Sequence, residues 1–360
     1  MINYYELGPD KKLNEIVMTG SHDAAVTFGG ANTQTQDLDI YDQAMAGARL
    51  FDIRITGAVV KKGGAETVVT LKAYHGKGPS STTPGVDLRT GGAVAPKVKS
   101  MWGGEYGMTL TKILTDASRF VSTNPSEFVI LKFDHCQNWE MIAEACVEVL
   151  GDTIYKGGGN INEKTLRQLQ GKVIVLLEGK GLALARVRFS AAQGILGIKN
   201  LSKGGAYDAR YEGMQYWGKG GTSVAKPTGK IDENIKKQRK LMEKGGDGNP
   251  NVIGMMYWTT TGVFESIRDR NTGMWTAPNV ARLKDMWTNG LNTAITSRMN
   301  KFAKIDGFAG TTLLKAFMPN FVMIDFVDEE KCKHIMELNT IPPTFLVKNI
   351  QNFMRTDPLP

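Results

Sequence analysis

Thr109-Leu-Thr-Lys-Ile-Leu-Thr-Asp-Ala-Ser-Arg-Phe-Val-Ser-Thr-Asn-Pro-Ser-Glu-Phe-Val-Ile-Leu-Lys-Phe133 carries both kinds of element from which the fold is built. Over Thr109–Ser122 the apolar residues recur at helical spacing. Asn124-Pro125 is a natural stop, because the residue before proline is pushed out of the α region. Glu127–Phe133 follows as a short apolar run bounded by turn signals, the pattern of a buried strand. Working outward, similar runs recur at Glu15–Thr19, Arg49–Ile55, Val68–Tyr74, Lys172–Leu177, Ile253–Thr259 and Asn320–Phe326. A weak eighth lies at Gly205–Asp208. Helical segments fall at Leu38–Ala48, Trp139–Leu150, the highly charged Asp232–Glu243, Ala277–Phe302 and Asp328–Leu338. Strands alternating with helices predict a parallel sheet. Eight of them in one chain predict an irregular TIM-type (β/α)8 barrel, with the active site at the C-terminal ends of the strands.

The rest of the chain fits one domain over residues 1–360. Of its 360 residues 41% are hydrophobic and 22% charged, which excludes a disordered or fibrous chain. No internal repeat or linker divides it. Forty-four Lys and Arg against 36 Asp and Glu give +8, without a run that would mark a nucleic-acid tail. That balance suits an anionic partner such as a phospholipid surface. Cys136, Cys146 and Cys332 cannot all pair and show no C-x-x-C spacing, so neither a disulfide framework nor a structural zinc is expected. Met1–Lys12 has no apolar signal region, and no apolar run approaches the roughly 18 residues of a membrane span. The expectation is a monomer made in the cytoplasm without a signal peptide, with export by a signal-independent route or peripheral membrane attachment left open. Trp102, Trp217 and Trp275, read as loop aromatics, would suit a membrane surface.

Two phosphate-loop look-alikes fail on chemistry. Gly213–Lys219 has the G-x-x-x-x-G-K spacing, but Gly220 stands where a metal-binding hydroxyl is needed. Gly179-Lys-Gly181 begins like a dinucleotide fingerprint, but Leu184 fills its third small position.

The chain has four histidines, and two end predicted strands: His22 in Thr19-Gly-Ser-His-Asp23, and His75 in Tyr74-His-Gly76. In a barrel such positions face the active site, where two histidines can serve as general base and acid. Asp52 and Arg54 alternate onto one face of the second strand, and Asp325 ends the last. A charge inside an apolar strand is costly unless paired. His135 follows the fourth strand in Asp134-His-Cys136, and His334 sits in a charged helix.

Thr19–Asp23, Ala48-Arg-Leu-Phe-Asp-Ile-Arg54, Tyr74–Gly76 and Asn124-Pro-Ser-Glu-Phe-Val-Ile-Leu131 together resemble the catalytic X region of phosphatidylinositol-specific phospholipase C, its bacterial, metal-independent branch best. The resemblance covers residues 14–135 most strongly and continues through the remaining barrel, 136–338, leaving a tail at 339–360. It implies roles. His22 would take the proton of an inositol 2-hydroxyl, which attacks the adjacent phosphorus and expels diacylglycerol. His75, assisted by Asp23, would protonate the leaving oxygen. Arg54 would hold the phosphate, and Asp325 would orient His22. The headgroup would meet Asp52, Asp134, Lys180, Asp208 and Tyr211. Here the chain departs from the family. Asp134 stands where bacterial relatives carry a basic residue, Glu178-Gly-Lys180 where they carry Arg after strand five, and Asp208-Ala-Arg-Tyr211 is one residue longer than their Asp-x-Tyr platform. No cofactor is implied. The alternative is calcium through Asp23, Asp52 and Asp134. Other readings are a glycerophosphodiester phosphodiesterase, a phospholipase C for a non-inositol headgroup, and an inactive lipid-binding barrel.

Overall fold

The structure, a computed structural model, describes residues 1–61, 67–76, 85–86, 93–94, 104–223, 230–244, 251–261, 266–285 and 319–340. Eight parallel strands close into a barrel: β1 (Met18–Ser21), β2 (Ala48–Ile53), β3 (Val129–Phe133), β4 (Val173–Glu178), β5 (Ile195–Asn200), β6 (Gly213–Trp217), β7 (Ile253–Tyr257) and β8 (Pro319–Ile324). They follow one another around the barrel in chain order, and β8 closes onto β1 with Met18 opposite Phe321. β2, β3 and β8 are buried at every position, which is why they read as continuous apolar runs rather than alternating ones. Helices Ile40–Ala46, Leu110–Thr123, Trp139–Leu150, Gly179–Ala185, Lys230–Lys244, Ile267–Met274 and Glu329–Met336 lie in the connections or follow the last strand. A further helix spans 277–285, so the expected Ala277–Phe302 helix is seen in its first part, and the remainder lies outside the described residues.

Three expectations need correction. Val68–Tyr74 is not a barrel strand. It lies within Thr67–Gly76, which pairs antiparallel with Ile55–Lys61 over seven residues, from Ile55 opposite Ala73 to Lys61 opposite Thr67. The chain thus turns back on itself directly after β2. Gly104–Thr109 adds to the same five-stranded sheet, beside the barrel mouth. Gly205–Asp208 forms no strand; β5 and β6 take the two open places. Both carry glycine where β-branched residues would have signalled a strand. A Cβ on Gly213, at φ +144°, would lie 1.9 Å from the Gly197 carbonyl oxygen, so close approach of β5 and β6 excludes a side chain there. The third concerns the tryptophans. Trp217 ends β6 and Trp275 packs partly buried against the core, so neither is an exposed loop aromatic; Trp102 lies outside the described residues.

At the N-terminal side of the strands a buried ion pair ties β2 to β3. Arg49 Nε lies 2.6 Å from Glu127 Oε2, both fully buried, and the guanidinium also donates to the Ala44, Ala48 and Ile2 carbonyls. Among the described residues no helix is long and apolar enough to cross a membrane.

Candidate active site

His22 and Asp23 leave the end of β1, Arg54 the end of β2, and Asp325 the end of β8. His75 arrives from the antiparallel sheet, not from a barrel strand. His22, Arg54 and His75 meet at Asp23, which is 2% exposed and has the left-handed φ of +42°, and Asp325 joins them through His22. Asp23 Oδ1 lies 2.9 Å from Arg54 Nε. Its Oδ2 lies 3.5 Å from His22 Nε2 and 3.4 Å from His75 Nε2. Neither oxygen has a well-aligned hydrogen bond among the described residues, so the pairing is chiefly coulombic. Burial raises the Asp23 pKa, but Arg54 and the histidines outweigh it and hold the carboxyl well below the usual range.

The outer nitrogens fix the rings. His22 Nδ1 is 2.9 Å from Asp325 Oδ1, and His75 Nδ1 is 2.8 Å from the Thr33 carbonyl oxygen. Both partners only accept, so Nδ1 carries hydrogen in each ring and Nε2 is the nitrogen left for chemistry. Tyr257 packs edge-on against His22, ring centres 5.7 Å apart. Burial disfavours charge on His22, but Asp23 and Asp325 outweigh it and lift the ring to about 9. Burial holds His75 below its ordinary value, with Asp23 opposing and Arg54 reinforcing. With Nδ1–H in both rings, the resting field favours one further proton at Nε2 of His22 over His75. Acid–base transfer needs one protonated and one neutral ring, but a base role for His22 requires the proton to sit on His75 when the reaction begins.

The expected Asp52–Arg54 pair does not form. Arg54 lies beyond the last residue of β2, so strand alternation no longer sets its direction, and it turns to Asp23. Asp52 instead meets Lys132, a residue the sequence reading passed over. Lys132 is 1% exposed, and its Nζ sits 2.8 Å from Asp52 Oδ1 and 3.0 Å from Asp134 Oδ2. Burial works against its charge, but Asp134 and Asp52 keep its pKa well above the ordinary value. The signal was present: a lysine in the middle of an apolar strand demands a partner, the argument applied above to Asp52 and Asp325.

Beside this cluster, at the ends of β3 to β6, lies an open cleft of about 380 Å³. Lys132, Asp134, Glu178, Asn200, Tyr211 and Tyr216 contribute to its wall. Asp134 and Tyr211 are therefore brought to it as expected. Lys180 and Asp208 are not. Lys180 is exposed on the first turn of the helix Gly179–Ala185, and the exposed Asp208 carboxylate accepts from the Arg210 backbone N–H. The cleft also contains a carboxyl pair: burial and a hydrogen bond with Asp134 raise Glu178 to about 7, while Lys132 holds Asp134 well below the usual range. His135, mostly exposed, stands 2.8 Å from Asp134 Oδ1.

For a metal, the calcium alternative asks Asp23, Asp52 and Asp134 to share a cation. Each already faces one: Arg54 at Asp23, and Lys132 between Asp52 and Asp134. Asp134, His135 and Glu178 also lie close enough to share an ion, but Lys132 Nζ already stands 3.0 Å from Asp134 Oδ2. Neither set fits a divalent ion as it stands.

No protein-family model and no curated protein sequence matches the chain. Solved structures do. It is similar to phosphatidylinositol-specific phospholipase C from Listeria monocytogenes, at 17% identity and TM-score 0.51, covering 92% of this chain and 95% of that one. It is also similar to the Staphylococcus aureus phosphatidylinositol-specific phospholipase C, at 15% identity and TM-score 0.53, covering 93% and 95%. The chain therefore has, over nearly its whole length, the barrel fold of the bacterial phosphatidylinositol-specific phospholipases C.

Proposed function

We propose that the protein is a phosphodiesterase that cleaves a glycerophospholipid whose headgroup bears a hydroxyl next to the phosphodiester, most simply phosphatidylinositol. The products are diacylglycerol and a cyclic phosphate of the headgroup. The observation that carries the reading is the meeting at Asp23 of two histidine Nε2 atoms and an arginine, each presented at the barrel mouth. The substrate supplies its own nucleophile, so no protein nucleophile is required, and the attack gains from being intramolecular. His22 Nε2, once neutral, takes the hydroxyl proton. His75 Nε2 returns a proton to the glycerol oxygen as the P–O bond breaks. Arg54 stabilises the negative charge that builds on the non-bridging oxygens. Asp23 favours whichever ring is the imidazolium. The proton on His22 at rest must therefore pass to His75 before turnover, or the two rings exchange roles.

The chemistry proposed uses no metal, because Arg54 and Lys132 supply positive charge beside the carboxylates that would otherwise bind one. The cleft takes the headgroup. Lys132 donates to hydroxyls there, Asp134 accepts from them, and the tyrosine hydroxyls do either. The +8 net charge favours approach to an anionic membrane surface. The test is turnover of phosphatidylinositol in mixed micelles with phosphorus NMR of the products. A cyclic phosphate, lost in His22→Ala, is expected. No cleavage of any inositol lipid, with release of diacylglycerol from another phospholipid, would overturn the headgroup assignment; no cleavage of any phosphodiester would overturn the enzyme.

A further inference from the structure

One four-residue segment, Thr33-Gln34-Thr35-Gln36, touches nearly every member of the site. The Thr33 carbonyl accepts from His75 Nδ1 at 2.8 Å. Thr35 Oγ1 donates to the Asp23 carbonyl at 2.8 Å, and the Thr35 carbonyl accepts from the Phe326 N–H at 2.8 Å. Gln36 Nε2 donates to the His22 carbonyl at 2.9 Å and to that of Ile324 at 3.3 Å, and Gln36 Oε1 accepts from the Val327 N–H at 2.9 Å. Thr35 is 1% exposed and Gln36 fully buried, so water cannot replace these bonds.

Barrel register cannot set the distance between the two histidines, because His75 belongs to the antiparallel sheet. The segment bridges that gap. It also secures two unfavourable backbone conformations. Asp23 and Phe326, neither of them glycine, have φ of +42° and +49°. Such conformations persist only where their surroundings over-determine them. Thr35 bonds to both, through its side chain to Asp23 and its carbonyl to Phe326. The segment is itself held: the Thr35 and Gln36 N–H groups donate to the Val26 carbonyl, and Gln34 Nε2 donates to Thr27 and Asp37. A loop that only satisfied its own backbone would not direct its bonds to His22, Asp23, His75 and the turn after Asp325.

We infer that Thr35 and Gln36 are positioning residues, through which residues 33–36 hold His22, Asp23 and Asp325 in register with His75. The inference rests on the function proposed above for its kinetic readout only. Thr35→Val keeps the shape and removes the donor. It should lower kcat by about 10- to 100-fold with KM little changed, the scale expected when reacting groups are displaced by a fraction of an ångström to an ångström. Thr35→Ser keeps the hydroxyl and should restore kcat to within about threefold of wild type. Thr35→Cys, similar in size to serine but a weak donor, should behave like Thr35→Val, and it carries the comparison if Thr35→Val does not fold. Imidazole NMR of the four histidines reads the same device without substrate: the titration midpoints of His22 and His75 should move in the valine and cysteine variants and not in the serine variant. Loss of turnover by the wild-type protein itself would be a failure of the proposed function and leaves this readout intact. Wild-type kcat and histidine midpoints in a folded Thr35→Val or Thr35→Cys, or a serine variant as impaired as cysteine, would overturn the inference.

Discussion

Asp325→Asn removes one negative charge from His22 while leaving an oxygen that can still accept from its Nδ1–H. Asp325 is 1% exposed and its Oδ1 lies 2.9 Å from the ring, so solvent screens the pair little. The lift of His22 from 6.5 to about 9 corresponds to roughly 3 kcal/mol in favour of the imidazolium. Burial opposes that lift; Asp23 and Asp325 produce most of it, with a smaller push from Asp52. Because burial still opposes the charge, removing one of the two main contributors should withdraw more than half of the net lift, lowering the midpoint by more than about one pH unit. It should also slow turnover by about 10²-fold, the lower end of what an acid–base group contributes, because the imidazolium formed during reaction loses its counter-charge. The assay is an NMR titration of the His22 ring, paired with the pH dependence of kcat/KM, on a variant whose thermal midpoint matches wild type. A His22 midpoint that stays in place would refute the electrostatic account of the site, and so would unchanged turnover with a lowered midpoint.

Leaving-group chemistry separates the histidines: the group that acts as acid should matter less when a phenol replaces glycerol, so His75→Ala should be partly rescued on such a substrate and His22→Ala should not. The opposite pattern would assign the acid role to His22, as the resting proton suggests, and equal losses would remove His75 from proton donation. Exhaustive chelation should leave activity intact while Arg54→Ala abolishes it; activity restored only by calcium would contradict the pairing of Asp23, Asp52 and Asp134 with Arg54 and Lys132. Lys132→Ala leaves Asp52 and Asp134 facing each other unneutralised, and urea unfolding should register a loss of about 3–5 kcal/mol, the usual consequence of breaking a buried pair, largely relieved by adding Asp52→Asn. Stability contributed by His22 is complete below its unfolded value of 6.5 and lost as pH rises through about 9. Glu178 acts in the same sense between 4.5 and about 7, whereas His75 acts oppositely, its contribution lost as pH falls below 6.5. The urea midpoint should therefore fall between about pH 7 and pH 10, and a flat profile there would deny that His22 is held charged.

What the sequence determined by itself is local. The apolar runs around Glu127–Phe133, Asn320–Phe326 and their counterparts are legible because a strand buried on both faces must be apolar throughout, and Asn124-Pro125 ends its helix by backbone sterics alone. His22, Arg54 and Asp325 were legible because polar groups at the ends of apolar strands have no packing reason to be there, His75 because its run was read as such a strand, and Asp23 through the motif Thr19–Asp23 that carries the family resemblance. Tertiary structure decided the rest. β5 and β6 escaped notice because Gly197 and Gly213 serve a contact between strands and weaken the pattern within each. Thr67–Gly76 reads as a barrel strand since antiparallel pairing with Ile55–Lys61 depends on a partner, not on its own periodicity. Arg54 chose Asp23 over Asp52, and Lys132 took Asp52, because charge pairs form across space between residues that the sequence holds 31 and 80 positions apart. The raised pKa of His22 follows in part from the same cause: Asp23 is its neighbour in sequence, but only the closed barrel, joining β8 to β1, brings Asp325 to the same ring.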